Sequence, residues 1–332
     1  MAIRMHARRV LVWVGCTFAV AGVLTRACPG QPLVPGTGTK VLKCSDDFED
    51  PAWEFVPHPP KSSVEMDKQN RPPLGRSRNG LWAECQLRGE PDLVQRVATP
   101  LGGLPGSQGA LLLRTHLAGI PGRLSGKAEQ DDLQMNISQS AGGGIPVSWS
   151  PSVVVRVYVP PLDEWEPRSG ASFGFRADVF GTRRKQREGL FGPASETVQE
   201  NYWPGFFFNL EARPARGNEP RAYLSLRATE RGGDFRGPEL TPGWWTLGMS
   251  FTPDGRIHYY AHAGIEDLTA DDYLATRAPY GFRCERFNTM FFNVLCREDG
   301  RTWSTPWIID DPTLYAVRGF AEQEASPPQV PS

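Results

Sequence analysis

A set of polar side chains lies on one side of short alternating runs, and their types suit work on sugars. Arg156 and Tyr158 oppose Val153, Val155 and Val157; Arg176 and Asp178 oppose Phe173 and Phe175. Asn209 and Glu211 oppose Phe206, Phe208 and Leu210, Tyr223 and Arg227 oppose Leu224 and Leu226, and His258 and Tyr260 oppose Ile257 and Tyr259. Aromatic rings that cover sugar C–H groups, with Arg, Asn and carboxylates for the hydroxyls, make a glycan groove if these strands share one sheet. Hydrolysis needs two carboxylates roughly 5 to 9.5 Å apart, and the face assignment offers only Asp178 with Glu211. Eliminative cleavage needs a base, Tyr158, Tyr260 or His258, beside Arg156, Arg176 or Asn209 to neutralise a uronate carboxylate. In Gly170-Ala171-Ser172-Phe173-Gly174 the letters of a nucleophile elbow occur, but that elbow turns from strand to helix. Here the alternation runs on to Val179, so the match is accidental.

The elements that must hold these residues are strands. Leu247, Met249 and Phe251 alternate with Thr246, Gly248 and Ser250, the period of a half-buried antiparallel strand. Pro253-Asp254-Gly255 turns the chain, and Ile257, Tyr259 and Ala261 resume the alternation against Arg256, His258, Tyr260 and His262. Similar short runs recur over residues 81–87, 110–117, 153–159, 172–179, 205–212 and 222–229, broken by Gly/Pro turns. Long amphipathic helices are absent; one short turn is predicted after Thr269, capped through Asp272. That pattern predicts an all-β antiparallel sandwich. The connection from Gly181 to Tyr202, with Arg183, Arg184, Lys185 and Arg187, reads as a solvated insertion or a loop at a groove rim. Trp245, Trp303 and Trp307 are expected in the core, and Trp165 and Trp203 in loops.

The segment from Trp244 to Ala261 resembles the penultimate hairpin of concanavalin A-like lectin/glucanase domains. Cys44-Ser45-Asp46-Asp47-Phe48-Glu49-Asp50 is similar to their acidic first strand, and Trp307-Ile308-Ile309-Asp310-Asp311 to their closing strand. The whole also resembles a group of secreted bacterial proteins. The resemblance implies a jelly-roll β-sandwich, shared by laminin G-like modules, lectins, glycosidases and polysaccharide lyases. It implies a structural calcium ion where the first and last strands meet, held by Asp46, Asp47, Asp50, Asp310 and Asp311, because calcium takes several hard oxygen ligands. The chain lacks the Glu-x-Asp-x-x-Glu strand of the glucanases and the Gln-Ile-His of one lyase family.

Residues 1–27 read as a secretory signal: Arg4, Arg8 and Arg9 precede an apolar run from Val10 to Leu24 that is short of a membrane span. Cys28 follows directly, where a lipid anchor would attach, although Thr25 and Arg26 fit a lipobox poorly. A Pro/Gly linker (28–39), one sandwich domain (40–318) and an unstructured tail (319–332) follow. In an exported chain Cys44 and Cys85 are expected to pair with Cys284 and Cys296, with four free thiols as the alternative; the strand between Cys284 and Cys296 keeps those two apart. With 36 Lys and Arg against 37 Asp and Glu, the chain lacks the positive field that nucleic acid needs. The expected function is non-catalytic binding of an extracellular or cell-surface polysaccharide. A polysaccharide lyase or glycoside hydrolase is the alternative, and a structural envelope module the third reading.

Overall fold

The computed structural model describes residues 32–189, 192–212 and 219–320. The expected signal segment, Cys28 and the residues beyond 320 lie outside them. Strands dominate, as the alternation predicts, and they form two antiparallel sheets packed face to face. Numbered in chain order, the eight-stranded sheet runs β17 (Tyr273–Arg277), β16 (Ile257–Ala263), β15 (Gly243–Phe251), β9 (Pro151–Val159), β19 (Trp307–Ala316), β6 (Ala110–Arg114) and β5 (Leu93–Val97), with β1 (Thr39–Ser45) beside β19. The eleven-stranded sheet runs β14 (Asp234–Leu240), β13 (Arg221–Arg227), β12 (Gly205–Glu211), β10 (Gly170–Gly189), β18 (Arg286–Arg297), β7 (Ala128–Met135), β4 (Trp82–Glu84), β3 (Arg76–Ser77) and β2 (Phe55–Val56). Two strands join it off this path, β11 (Gly192–Tyr202) on β10 and β8 (Ile145–Pro146) on β18. The chain passes repeatedly from one sheet to the other, as in a jelly roll.

The apolar half of each alternation meets between the sheets. Phe173 stacks on Trp307 at 4.9 Å and on Phe292 at 5.8 Å, and Phe175 continues the stack against Phe292 at 5.6 Å. Trp245 is buried with them; Trp303 instead is 37% exposed and stacks on His116 at the surface. Trp165 is buried against Trp307, not open in a loop. The turn after Thr269 has the expected capping box, on a 3-10 turn.

Three departures from the sequence reading follow from pairing between distant segments. The stretch 181–202 is a β-ribbon, β10 pairing with β11 from Val179↔Tyr202 to Gly189↔Gly192. Residues 33–36, at the end of the Pro/Gly linker, lie on the outer face of the eight-stranded sheet: Ser250 Oγ donates to the Leu33 carbonyl and the Gly36 amide donates to Ser152 Oγ. The four cysteines of the domain are free thiols, and burial raises the pKa of each. Cys284 lies two residues before β18 and Cys296 near its far end, so the strand keeps them apart as predicted.

The five acids expected to hold calcium are committed to protein donors. Asp46 accepts the Trp53 and Trp82 indole N–H groups, Asn79 Nδ2 and the Phe48 amide, while Asp47 and Asp50 accept from the amides of Glu49 and Ala52. Asp310 accepts from Ser107 Oγ and the Asp311 amide, and Asp311 pairs with Lys40 and Arg156. No group of three or more such ligands gathers among the described residues. These carboxylates do not fit a calcium site: Asp46, Asp47 and Asp50 cap turns and indoles near the first strand, Asp310 accepts from Ser107, and Asp311 alone bridges the first and last strands, through Lys40. No helix among the described residues is long and apolar enough to cross a membrane.

Candidate functional site

The polar halves of the alternating strands divide between two surfaces. Arg176, Asp178, Asn209, Glu211, Tyr223 and Arg227 stand on the face of the eleven-stranded sheet turned away from the core. Arg156, Tyr158, His258 and Tyr260 stand on the outer face of the other sheet. Alternation tells which residues share a side of a strand; it cannot tell which of two sheets the strand joins.

That second group is engaged in structure. Arg156 is buried and donates to Asp311, Asp267 and the Ile265 carbonyl. Tyr158 packs edge-on against Trp244, and Tyr260 is buried with Val154 and Leu268. His258 is fully buried between the Thr252 and Thr276 hydroxyls, at 2.8 and 2.6 Å, and burial lowers its pKa to about 4. Of the residues expected to neutralise a uronate beside Tyr158, Tyr260 or His258, Arg176 and Asn209 stand on the other sheet, and Arg156, on the same face, is already paired with Asp311 and Asp267. The hydrolytic pair fails on distance. Leu210 lies opposite Gly170, so Glu211 is about nine residues from Asp178 along the strand direction, or roughly 30 Å at ~3.4 Å per residue. Glu211 instead faces Arg236 at 3.7 Å, and Tyr223 carries the Arg236 guanidinium 3.9 Å from its ring centre.

What the eleven-stranded sheet does assemble is a cleft of about 430 Å³ in its open face. Two rows of side chains form its floor. Gln134, Phe291, Arg176, Gly205 and Arg227 lie opposite one another across β7, β18, β10, β12 and β13. One pleat along, Asp132, Asn293, Gly174, Phe207 and Ser225 form the second row. Arg88 and Glu65 wall one side, and Trp203 and Tyr280 also line the cleft.

Arg176 is the centre of this floor. Its guanidinium lies over the rings of Phe207 and Phe291, at 5.1 and 5.4 Å, and donates through Nε and Nη2 to the Trp203 carbonyl. Only 7% of the residue is exposed. No carboxylate among the described residues comes within ion-pair distance of it, and Nη1 makes no hydrogen bond to any of them. Burial, then the charge of Arg227, lowers its pKa to about 10, so it remains a cation at neutral pH. Arg227 shares the Phe207 ring at 4.8 Å but is paired with Asp234 at 2.6 Å. Asp178 accepts from Asn201, Asn288 and Trp203, so both its oxygens are occupied; burial nonetheless raises its pKa. Asn209, buried, donates to Ser225 Oγ and the Phe207 carbonyl and so holds the floor ring in place.

Sequence reasoning missed Asp132, Phe291, Asn293 and Tyr280. Asp132 sits in Glu129-Gln130-Asp131-Asp132-Leu133-Gln134-Met135, where two adjacent acids break the alternation and conceal a strand. Tyr280 stands at φ 59°, a left-handed conformation that a bulky side chain adopts only when its surroundings impose it. Its ring packs against Tyr202, and Gly232 leaves the space it needs.

No family model and no curated protein sequence matches the chain. Solved structures similar to it include a carbohydrate esterase from Shiga toxin-encoding bacteriophage phi24B, at 11% identity and a TM-score of 0.42, over 72% of this chain and 91% of that one. Peanut lectin aligns at 9% identity and a TM-score of 0.37, over 85% of this chain and 100% of the lectin. Endo-β-1,4-glucuronan lyase of the fungus Trichoderma reesei aligns at 10% identity and a TM-score of 0.35, over 84% and 96% of the two chains. With its two antiparallel sheets and repeated crossings between them, the chain has the architecture of a jelly-roll β-sandwich.

Proposed function

We propose that this is an exported protein that binds an acidic polysaccharide in the cleft of the eleven-stranded sheet. Arg176 carries the reading. A guanidinium held between aromatic rings, with no carboxylate of the described residues in ion-pair contact, is a cation built into the fold and lacking a bound anion. Burying a charge is costly unless it is paired, and a ligand carboxylate completes the pair through Nη1. Gln130, Gln134 and Thr289 supply hydroxyl partners around it, and the exposed parts of Trp203 and Tyr280 offer faces for sugar C–H groups. Export rests on the basic, apolar leader read in residues 1–27.

Binding is preferred over cleavage because the acid–base residues expected for cleavage are elsewhere. Of the cleft's carboxylates, Glu65 is paired with Arg88, and Asp132 and Asp178 are too far apart for a glycosidase. Asp132 shares a row with Gly174, four residues from Asp178 and two strands away, so their backbones are about 17 Å apart by strand spacings, against the roughly 5 to 9.5 Å that hydrolysis uses. Calorimetric titration with polyuronates and with neutral glucans tests the reading. Saturable binding of a polyuronate is expected, weakened at least tenfold by Arg176→Gln, with neutral glucans bound weakly and alike by both proteins. Equal affinity of the two proteins for the polyuronate would reject Arg176 as the anchor. Absorbance near 235 nm, followed in the same mixtures, would expose unsaturated sugar ends and overturn the non-catalytic reading.

A further inference from the structure

Among the charged groups that line the cleft, only two lack a hydrogen-bonded partner of opposite charge and also keep a side-chain polar atom without a hydrogen bond to the described residues. Arg88 is paired with Glu65 at 2.7 Å, Arg227 with Asp234 at 2.6 Å, and Asp178 is held by three neutral donors. Cys85 is a buried neutral thiol. The remaining two are Arg176 on β10 and Asp132 on β7, one pleat and two strands apart in the floor.

Asp132 is a built site and not a stray surface acid. Its Oδ1 accepts from Asn293 Nδ2 at 2.6 Å and from Gln130 Nε2 at 2.9 Å, which fixes the carboxyl plane. Asn293 is itself fully buried, beside Gly174, where the missing Cβ leaves room for its amide. Asp132 Oδ2 accepts no hydrogen bond from the described residues and is not sealed in the interior; it opens into the cleft.

We propose that Asp132 is a ligand-sensing residue that makes the uptake of an acidic glycan proton-linked: the cleft takes up one proton with each sugar carboxylate that pairs with Arg176. The inference rests on the reading of the cleft as an acidic-glycan site. In the free protein the Arg176 cation stabilises the Asp132 anion, with Arg88 contributing from the wall. A sugar carboxylate on Arg176 cancels that support and brings a like charge near Oδ2. Two carboxylates sharing a site cannot both stay ionised at little cost, so one binds a proton. Uronates are the stronger acids, and Asp132 is the group in the low-dielectric floor, so the proton goes to Asp132 Oδ2. Protonated, Oδ2 becomes a hydrogen-bond donor to the ligand. Burial, only partly offset by Asn293 and Arg176, already raises the free-state pKa to about 6. The ligand raises it further, so affinity is highest below about pH 6 and falls as pH rises, by up to about tenfold per pH unit.

The test is calorimetry of the whole protein with galacturonate, glucuronate and mannuronate tetramers, and with their carboxyl-reduced neutral forms. Titrations at pH 7 in two buffers of different ionisation enthalpy count the protons exchanged. The uronate tetramer that binds should bring uptake approaching one proton, and its neutral form none. Asp132→Asn should abolish the uptake and bind the same tetramer at pH 8 at least tenfold more tightly than the wild type. Uronate binding without proton uptake by the unmodified protein overturns the inference and leaves the cleft reading intact, whatever the variant's stability. Failure of every uronate tetramer to bind at pH 5 overturns both.

Discussion

Arg176 and His258 show how burial assigns opposite roles to residues that look alike as candidates. Both occupy the polar side of an alternating strand, and both have their pKa lowered by burial. Arg176 keeps its charge and an unfilled donor facing a cleft, whereas His258 is a neutral ring whose two nitrogens are satisfied by threonines. Because its folded pKa lies below the ordinary 6.5, His258 contributes stability that is complete above pH 6.5 and is lost as pH falls toward 4. The loss amounts to up to about 3 kcal/mol from a shift of this size. His258→Gln is expected to melt at a lower temperature at pH 7.5, to show a flatter fall in melting temperature between pH 6.5 and 4, and to bind polyuronate as the wild type does. Lost binding with unchanged melting would instead return His258 to a ligand-binding role. The sequence names Arg176, Asp178 and Arg227 as site residues because strong apolar neighbours reveal their strands. Asp132 stays hidden because Asp131 beside it is also acidic, yet Asp131 points inward to Lys61 at 2.5 Å. Only tertiary pairing distinguishes the two.

Between strands, the cleft depends on what is missing at two positions. Gly174 and Gly205 stand in adjacent rows of the floor, and each vacates the space that a neighbouring side chain fills. A Cβ on Gly174 would lie 2.6 Å from Asn293 Oδ1 and 3.1 Å from the Phe207 ring, the ring beneath both arginines. Gly174→Ala is therefore expected to displace that ring and weaken polyuronate binding by about tenfold, equivalent to ~1.4 kcal/mol. Titration of the variant, with melting measured alongside, checks this; full affinity would mean that Phe207 does not position the arginines. Gly174 entered the sequence reading only as the last letter of an accidental nucleophile elbow. Ser172 of that match is buried on β10 against Thr305, and its Oγ accepts from the Trp307 indole. The hairpin of β15 and β16 was legible from its alternation and its Pro-Asp-Gly turn, with Phe251 opposite Ile257. The β10–β11 ribbon was not, because its residues beyond Phe180 pair with one another and not with an apolar core, so no hydrophobic period marks them.

At the scale of the molecule, the two sheets present unequal faces. The outer face of the eight-stranded sheet is covered in part by residues 33–36 and Leu268, which close over Val154 and Tyr260. Gly248 makes this possible, since a Cβ there would fall 2.6 Å from Pro35. The eleven-stranded sheet keeps an open cleft. Removing residues 1–38 should strip that cover from Val154 and Tyr260 and lower the melting temperature by several degrees, the response of a domain this size to a few kcal/mol. Polyuronate affinity should be unchanged, because the cover and the cleft are on opposite faces. A truncated protein that melts normally would reduce the cover to an incidental contact. The class of fold was legible from strand period and turns; the division of polar faces between two sheets was not, since it is decided by pairing between strands as distant as β7 and β18.

The central claim is that an acidic sugar occupies the cleft with its carboxylate on Arg176. A crystal structure with a bound uronate oligosaccharide tests it most directly. The account predicts a sugar carboxylate within about 3 Å of Arg176 Nη1, the distance of a charge-assisted hydrogen bond, and above the Phe207 ring. An oligosaccharide bound on the other sheet, or in the cleft with its carboxylates turned away from Arg176, would contradict it.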